Sequence, residues 1–115
     1  MSKDARVDYD KEYDLLYVAT GVKVKDSLEF DQFVIDFSSD DKIVGIEIMD
    51  ASRYLKKLFD YDIDKEQLAG VKKAKFSVIQ QKDFAMIKIV MKIPLISGDC
   101  VDRVLTAPAP VAVTT

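Results

Sequence analysis

The chain has 115 residues, 49% of them hydrophobic and 32% charged, which is the size and composition of one soluble globular domain. The net charge of −3 comes from interspersed acidic and basic residues, which argues against a nucleic-acid partner. The single cysteine, Cys100, excludes an intrachain disulfide, and no apolar run reaches the ~20 residues of a membrane span. We therefore expect a cytoplasmic protein without a membrane partner.

The first predicted element is a hairpin formed by residues 7–9 and 14–20, with the polar residues between them in its turn. Residues 22–27 follow, and valine and lysine alternate at their start. This alternation predicts a half-exposed edge strand, whose lysines would discourage pairing with another chain.

The central block, residues 33–55, reads FVIDFSSDDKIVGIEIMDASRYL and contains the clearest local pattern in the chain. An alternating strand leads into a polar turn at residues 38–42, where side chains bond their own backbone. A second, β-branched strand follows over residues 43–49. Asp50 is the predicted N-cap of a helix over residues 51–59, which carries one apolar stripe.

Three segments of this first half carry a family pattern: YDKEYDLLYV at residues 9–18, VIDF at 34–37 and IVGIEIMDAS at 43–52. Over about residues 7–55 the chain resembles domain-of-unknown-function family 2283, although Met49 stands where leucine is usual. The resemblance implies a small α+β unit and no established activity. Some members lie beside small toxin-like proteins, so the resemblance also raises an antitoxin-like role.

The second half of the chain predicts a short helix and another hairpin. Asp64, with a glutamine three residues later, forms a capping-box pattern before a helix over residues 65–69. Residues 73–81 and 84–93 alternate as two strands of a hairpin. Pro94 is expected to end the second strand, because proline has no N–H to donate.

Residues 106–115 contain only Ala, Pro, Val and Thr, so we expect a low-complexity tail there. Residues 1–105 are expected to form one α+β domain: a mostly antiparallel sheet of about six or seven strands with one main helix. Within it, residues 7–59 are the family-like core, and residues 60–105 add the short helix and second hairpin. One helix covers only part of such a sheet, which favours a homodimer.

The chain contains no histidine, which excludes Ser-His-Asp and Cys-His catalysis and histidine metal sites. A single cysteine cannot form a zinc site, and four scattered glycines form no phosphate-binding loop. We therefore name no catalytic residue, cofactor or metal ligand, and the composition favours a protein that is not an enzyme. Cys100 is interpreted as an inert residue rather than a nucleophile.

Carboxylates are the remaining reactive groups, and one candidate patch consists of Asp36, Glu47 and Asp50. Asp36 and Glu47 extend from adjacent predicted strands, so they could share a divalent cation or a small ligand. The alternative interpretation is a polar strand surface with Asp50 as a helix cap. Asp10 and Asp14 flank the first turn, and turn chemistry explains both.

A second acidic run, Asp60, Asp62 and Asp64, matches the first ligand positions of a calcium loop. The match then fails, because Lys65 stands at the sixth position and Val71 at the twelfth, where glycine and glutamate are required. A solvated acidic loop that caps the short helix is the favoured interpretation.

These observations favour a non-enzymatic interaction module that self-associates or binds another small protein. A small-ligand or divalent-ion binding domain is the first alternative, and a carboxylate-based enzyme and an antitoxin-like partner are the others. The tail and the half-covered sheet motivate the first hypothesis.

Overall fold

The structure, a computed structural model, describes residues 2–59 and 63–110. In chain order its elements are β1 (Lys3–Asp10), β2 (Leu15–Ala19), β3 (Asp26–Phe30), β4 (Phe33–Phe37), β5 (Ile43–Ile48), α1 (Ala51–Phe59), α2 (Lys65–Ala69), β6 (Lys73–Gln80), β7 (Phe84–Pro94) and β8 (Cys100–Pro110). The predicted α+β class with a mostly antiparallel sheet is confirmed, but the described residues form eight strands rather than six or seven. Neither helix among them is long and apolar enough to cross a membrane.

All eight strands belong to one sheet with the order β3-β4-β5-β2-β1-β6-β7-β8, and every neighbouring pair is antiparallel. Both predicted hairpins form, β1 with β2 and β6 with β7. The two halves of the chain meet where Lys3 to Arg6 of β1 pair with Lys73 to Phe76 of β6. One sheet therefore joins the family-like first half to the second half.

One face of this sheet carries the hydrophobic core, because side chains alternate between faces along each strand. The helices pack on this face: Leu55 of α1 and Leu68 of α2 are fully buried, each stabilising the fold by about 2 kcal/mol. Phe33 and Tyr54 join β4 to α1 by an edge-to-face contact, with ring centroids 5.4 Å apart. The largest fully buried strand residues of this core are Leu16, Val18, Ile35, Ile46, Ile48, Ile87, Ile89, Met91, Ile93 and Leu105.

The start of α1 differs from the sequence prediction. Asp50, the predicted N-cap, is exposed and has a left-handed φ of 52°. The carboxylate of Asp14 instead accepts hydrogen bonds from the backbone N–H and the hydroxyl of Ser52, and the Asp14 carbonyl accepts from Ala51 N–H. The cap prediction was wrong because the acceptor comes from the β1–β2 turn, 38 residues away in sequence.

The expected edge strand over residues 22–27 was also wrong. The edge strand, β3, begins only at Asp26, and residues 21–25 are irregular and exposed. Gly21 has a φ of 89°, which turns the chain out of the direction of β2. Alternation of valine and lysine predicted a strand, but both valines are exposed and only Lys25 N–H bonds to β4, at the Phe37 carbonyl, so the alternation has no core to face.

The last strand, β8, contains residues that the sequence assigned to a tail. It pairs with β7 along its whole length, from Cys100 opposite Pro94 to Pro110 opposite Phe84. Ala107 and Ala109 are buried on the core face. The boundary expected at residue 105 therefore falls inside a strand, because small side chains suffice to fill this part of the core.

Candidate functional site

The face of the sheet opposite the helices, called the open face below, holds Asp36 and Glu47 of the acidic patch predicted from the sequence. Asp36 lies on this face of β4 although it is only 7% exposed. Its Oδ1 accepts from Ser27 Oγ at 2.6 Å, and its Oδ2 accepts from the Tyr17 hydroxyl at 2.7 Å. Ser27 stands directly opposite on β3, so these bonds connect β4 to its neighbour β3 and, across β5, to β2.

Space for the Asp36 carboxylate is provided by Gly45, which stands opposite it on β5. A Cβ at position 45 would lie 3.1 Å from Asp36 Oδ2 and 3.3 Å from the carbonyl oxygen of Val18. Glycine at position 45 is therefore favoured by the close approach of a buried carboxylate and not by backbone conformation, since its φ is not left-handed.

The pKa of Tyr17 is changed by this environment. Burial raises the pKa of the Tyr17 phenol to about 12, and the hydrogen bond to Asp36 with the charge of that carboxylate acts in the same direction. The phenol is therefore a neutral hydrogen-bond donor at physiological pH. Asp36, Ser27 and Tyr17 form a satisfied polar group that holds strands together, which is a structural role.

Glu47 stands opposite Tyr17 on one side and Val34 on the other, so it shares the open face with Asp36 but lies two residues further along the sheet. It is half-buried and lines an open pocket of about 480 Å³. The other residues of this pocket are Asp8, Tyr9, Asp10, Leu15 and Tyr17. Asp50 lies beyond the end of β5, in the turn before α1, so the structure unites two of the three predicted patch residues.

Two further candidates flank the first turn, and one of them has a role that the sequence did not show. Asp10 accepts from the backbone N–H groups of Glu12 and Tyr13, which is the predicted turn chemistry. Asp14 accepts from the Tyr9 hydroxyl at 2.5 Å and from Ser52, so it joins β1, the turn and α1.

The pKa of Asp14 reflects these contacts. Burial alone raises it, but the hydrogen bonds from the Tyr9 hydroxyl and from Ser52 outweigh burial and hold the pKa below its ordinary value. The carboxylate is therefore charged at neutral pH and accepts three hydrogen bonds. Tyr9 and Asp14 belong to the family segment at residues 9–18, and Ser52 ends the segment at residues 43–52. These segments are the sequence signal for the contact, but only the fold shows that the three residues meet.

The calcium-like run is divided by the structure. Asp64 caps α2 as predicted: its carboxylate accepts from Gln67 N–H at 2.8 Å, and the Gln67 side chain accepts from Asp64 N–H at 3.0 Å. Asp60 and Asp62 lie outside the described residues. Among residues 2–59 and 63–110, no group of three or more His, Cys, Asp or Glu side chains is placed to hold a metal ion. Cys100 is exposed at the start of β8.

The open face also carries an apolar patch over β6, β7 and β8, called the β6–β8 patch below. Ile79, Phe84 and Val104 are 46%, 42% and 48% exposed, and Met86 and Val90 on β7 are half-buried. The exposed Lys88, with Ser77 and Thr106 beside it, lies between Met86 and Val90 and divides the patch into two clusters. Ile79 stands opposite Met86, and Val90 stands opposite Val104. The sequence predicted the hairpin of β6 and β7 but no strand on the other side of β7, so it missed the contribution of Val104 to this face.

Comparison with known proteins agrees with the family pattern of the first half. The family described as "Protein of unknown function (DUF2283)" matches residues 6–52. An uncharacterized protein of Methanocaldococcus jannaschii is 45% identical over 58 residues, which are 50% of this chain and 47% of that protein. A protein of Methanosarcina mazei named a putative hypoxanthine phosphoribosyltransferase is 30% identical over 90 residues, 76% of this chain and 65% of that protein.

The chain thus spans about half of one of these curated relatives and 65% of the other. No solved structure matches it. The matched residues run from β1 through the first turn of α1 and contain Asp14, Asp36, Gly45 and Ser52, which make the contacts described above. The predicted resemblance is confirmed: residues 6–52 match the DUF2283 family of proteins of unknown function.

Proposed function

We propose that this protein is a non-enzymatic interaction module that binds another protein chain through the β6–β8 patch. The observation that supports this proposal is the exposure of Ile79, Phe84 and Val104 on one sheet face. Single exposed apolar residues are ordinary, but an apolar cluster around a half-exposed aromatic ring, as Ile79 and Met86 form beside Phe84, is typical of a binding surface.

Charges around the patch favour a particular kind of partner. Lys75, Lys88 and Lys92 lie on the same face, and Lys92 is paired with Asp102 at 3.1 Å. Lys88 lies between the two apolar clusters of the patch, and Lys75 and Lys92 lie beside Val90. Apolar clusters interspersed with lysines fit a partner surface that is apolar with acidic residues among its contacts. A small toxin-like protein is one class of partner, suggested by the family resemblance alone.

Affinity capture from native lysate tests this proposal with a matched pair of variants. Phe84→Lys places a charge in the patch, whereas Leu28→Lys places the same charge on β3, at the opposite edge of the sheet and at similar exposure. We expect Phe84→Lys to lower the recovery of a stoichiometric partner at least about tenfold, because truncated hot spots cost 2 kcal/mol or more. Leu28→Lys should retain the partner, and equal recovery with both variants would contradict the proposal.

A second candidate is the binding of a small cationic ligand in the open pocket beside Glu47. The pocket volume of about 480 Å³ lies within the range of ligand sites, and three carboxylates line it. Titration calorimetry with Mg²⁺, Mn²⁺ and Ca²⁺ tests the ion version of this candidate. Heat that disappears in Glu47→Gln would support it, and the absence of heat from the wild-type protein would remove it.

A further inference from the structure

The free edge of β8 carries a backbone pattern that selects a partner. In the loop before β8, Leu95 N–H donates to the Asp99 carbonyl at 2.7 Å, so residues 95 and 99 form a hydrogen-bonded pair. Hydrogen-bonded and non-hydrogen-bonded pairs alternate along an antiparallel ladder. Odd-numbered residues of β8 therefore bond to β7, and even-numbered residues direct their N–H and C=O groups to the free edge.

Prolines lie at this free edge in one half of the strand only. Pro108 and Pro110 are even-numbered, so their missing N–H groups cost no bond to β7 and remove donors from the edge. Asp102, Val104 and Thr106 retain edge donors. Proline is one of the devices that block edge-to-edge pairing, and here it leaves residues 100–106 open.

We propose that a second copy of this chain pairs with β8 along this edge, antiparallel, with Val104 opposite Val104 of the second copy. A two-fold axis through this point satisfies the donors of Asp102, Val104 and Thr106 in both copies, since position 102 meets position 106. The two sheets then form one continuous sheet with both helical layers on the same side.

Neighbouring registers are less favourable. Moving the axis to position 103 places two Arg103 side chains opposite each other, and like charges in that position destabilise a strand pair. Moving it to position 105 or 106 places Pro108 opposite Asp102 or Val104, so donors within the ladder are missing. An axis at Asp102 brings two carboxylates together. The prolines and charges of β8 thus select the Val104 register.

The same arrangement continues the β6–β8 patch across the two-fold axis. Val104 is 48% exposed and lies against Val90 on the open face, so Val104 and Val90 of both copies form one row of four valines across the axis. The inference rests on the proposed interaction function and names one partner for it. It uses the strand edge, however, while the capture experiment with Phe84→Lys probes the face, so the two can fail separately.

Sedimentation of the full chain with Val104→Pro and Val104→Thr tests the inference. Proline at position 104 removes the central N–H donor of the free edge. It keeps every bond to β7, because position 104, like Pro108, is even-numbered and directs its N–H away from β7. We expect Val104→Pro to weaken dimerisation by about 10- to 100-fold and Val104→Thr, which keeps the N–H, by less than about fivefold. Thr106→Pro, at another even-numbered position, is the second proline variant if circular dichroism shows that Val104→Pro does not fold.

A distance measurement reads the register directly. Cys100 is the only cysteine of the chain and is exposed, so a spin label can be attached to it. In the Val104 register the two Cys100 positions are separated by eight residues along the ladder, about 27 Å, compared with about 20 Å for an axis at position 103. A dimer with a distance near 27 Å supports the inference, and one near 20 Å overturns it.

Two other outcomes would also overturn it. A chain that stays monomeric up to about millimolar concentration has no self-pairing edge, and the proposed function is then judged by the capture experiment alone. A dimer that survives Val104→Pro but is lost in Phe84→Lys uses the open face instead of the edge, which refutes edge pairing and supports the proposed function.

Discussion

At the residue scale, the beginning of α1 depends on the carboxylate of Asp14. Asp14→Ala removes the acceptor for Ser52 and for the Tyr9 hydroxyl, and it places alanine at a φ of 54°. Loss of a helix cap costs about 1 kcal/mol, and the left-handed conformation costs alanine about 1–2 kcal/mol more. We expect the free energy of unfolding, measured with urea, to fall by about 2–3 kcal/mol.

The control for this prediction is Asp50→Asn, at the position that the sequence favoured as the cap. Asp50 is exposed, and asparagine tolerates its φ of 52°. The free energy of unfolding should change by less than about 0.5 kcal/mol. Equal losses at positions 14 and 50 would contradict a cap supplied by Asp14.

The same carboxylate should make stability depend on pH. The pKa of Asp14 in the folded chain lies below its ordinary value, and the unfolded value is about 3.9. A lowered pKa contributes stability that is present above the unfolded pKa and is lost as the pH falls through the folded pKa. The difference in unfolding free energy between wild type and Asp14→Ala should therefore be constant near neutral pH and shrink below about pH 4. The part of the difference that comes from the left-handed backbone of position 14 should remain at every pH. A difference that does not shrink below about pH 4 would contradict the lowered pKa.

The contact between Asp36 and Gly45 predicts a non-additive pair. Gly45→Ala places a Cβ 3.1 Å from Asp36 Oδ2, and overpacking of this kind costs about 1–3 kcal/mol. In an Asp36→Ala background the same change should cost less, by at least about 0.5 kcal/mol, because the nearest atom is absent. Urea unfolding of the two single variants and the double variant measures this coupling, and strict additivity would show that the two residues do not press on each other.

At the element scale, β8 is the strand that sequence reasoning missed in part. Ala107 is fully buried in it, whereas its neighbour Thr106 is exposed on the open face. Ala107→Asp buries a carboxylate without a partner and should lower the free energy of unfolding by more than about 3 kcal/mol. Thr106→Asp should change it by less than about 0.5 kcal/mol. A mobile tail beginning at residue 106 would tolerate both substitutions equally.

At the scale of the whole molecule, self-pairing couples stability to concentration. A ligand that binds only the folded chain raises the midpoint of thermal unfolding, and a second copy is such a ligand. We expect the midpoint of the wild-type protein to rise with protein concentration over about two decades and that of Val104→Pro to stay constant. Differential scanning calorimetry measures both, and a constant wild-type midpoint would contradict edge pairing.

The sequence by itself determined what depends on neighbours along the chain. Period-2 alternation gave both hairpins, the apolar stripe gave α1 at residues 51–59, and Asp64 with Gln67 gave the capping box of α2. The family match was also predictable, because its motifs are contiguous runs within residues 6–52. In each case a few adjacent residues contain the whole physical signal.

The tertiary structure decided what depends on residues far apart in the chain. Asp14 and not Asp50 caps α1, because a turn brings it beside Ser52. Asp36 is buried through contacts from two other strands, and Ala107 belongs to the core because β8 has β7 beside it. A low-complexity segment and a polar strand residue look alike in sequence whether or not a neighbour covers them, because burial is a property of the assembled sheet and not of the segment.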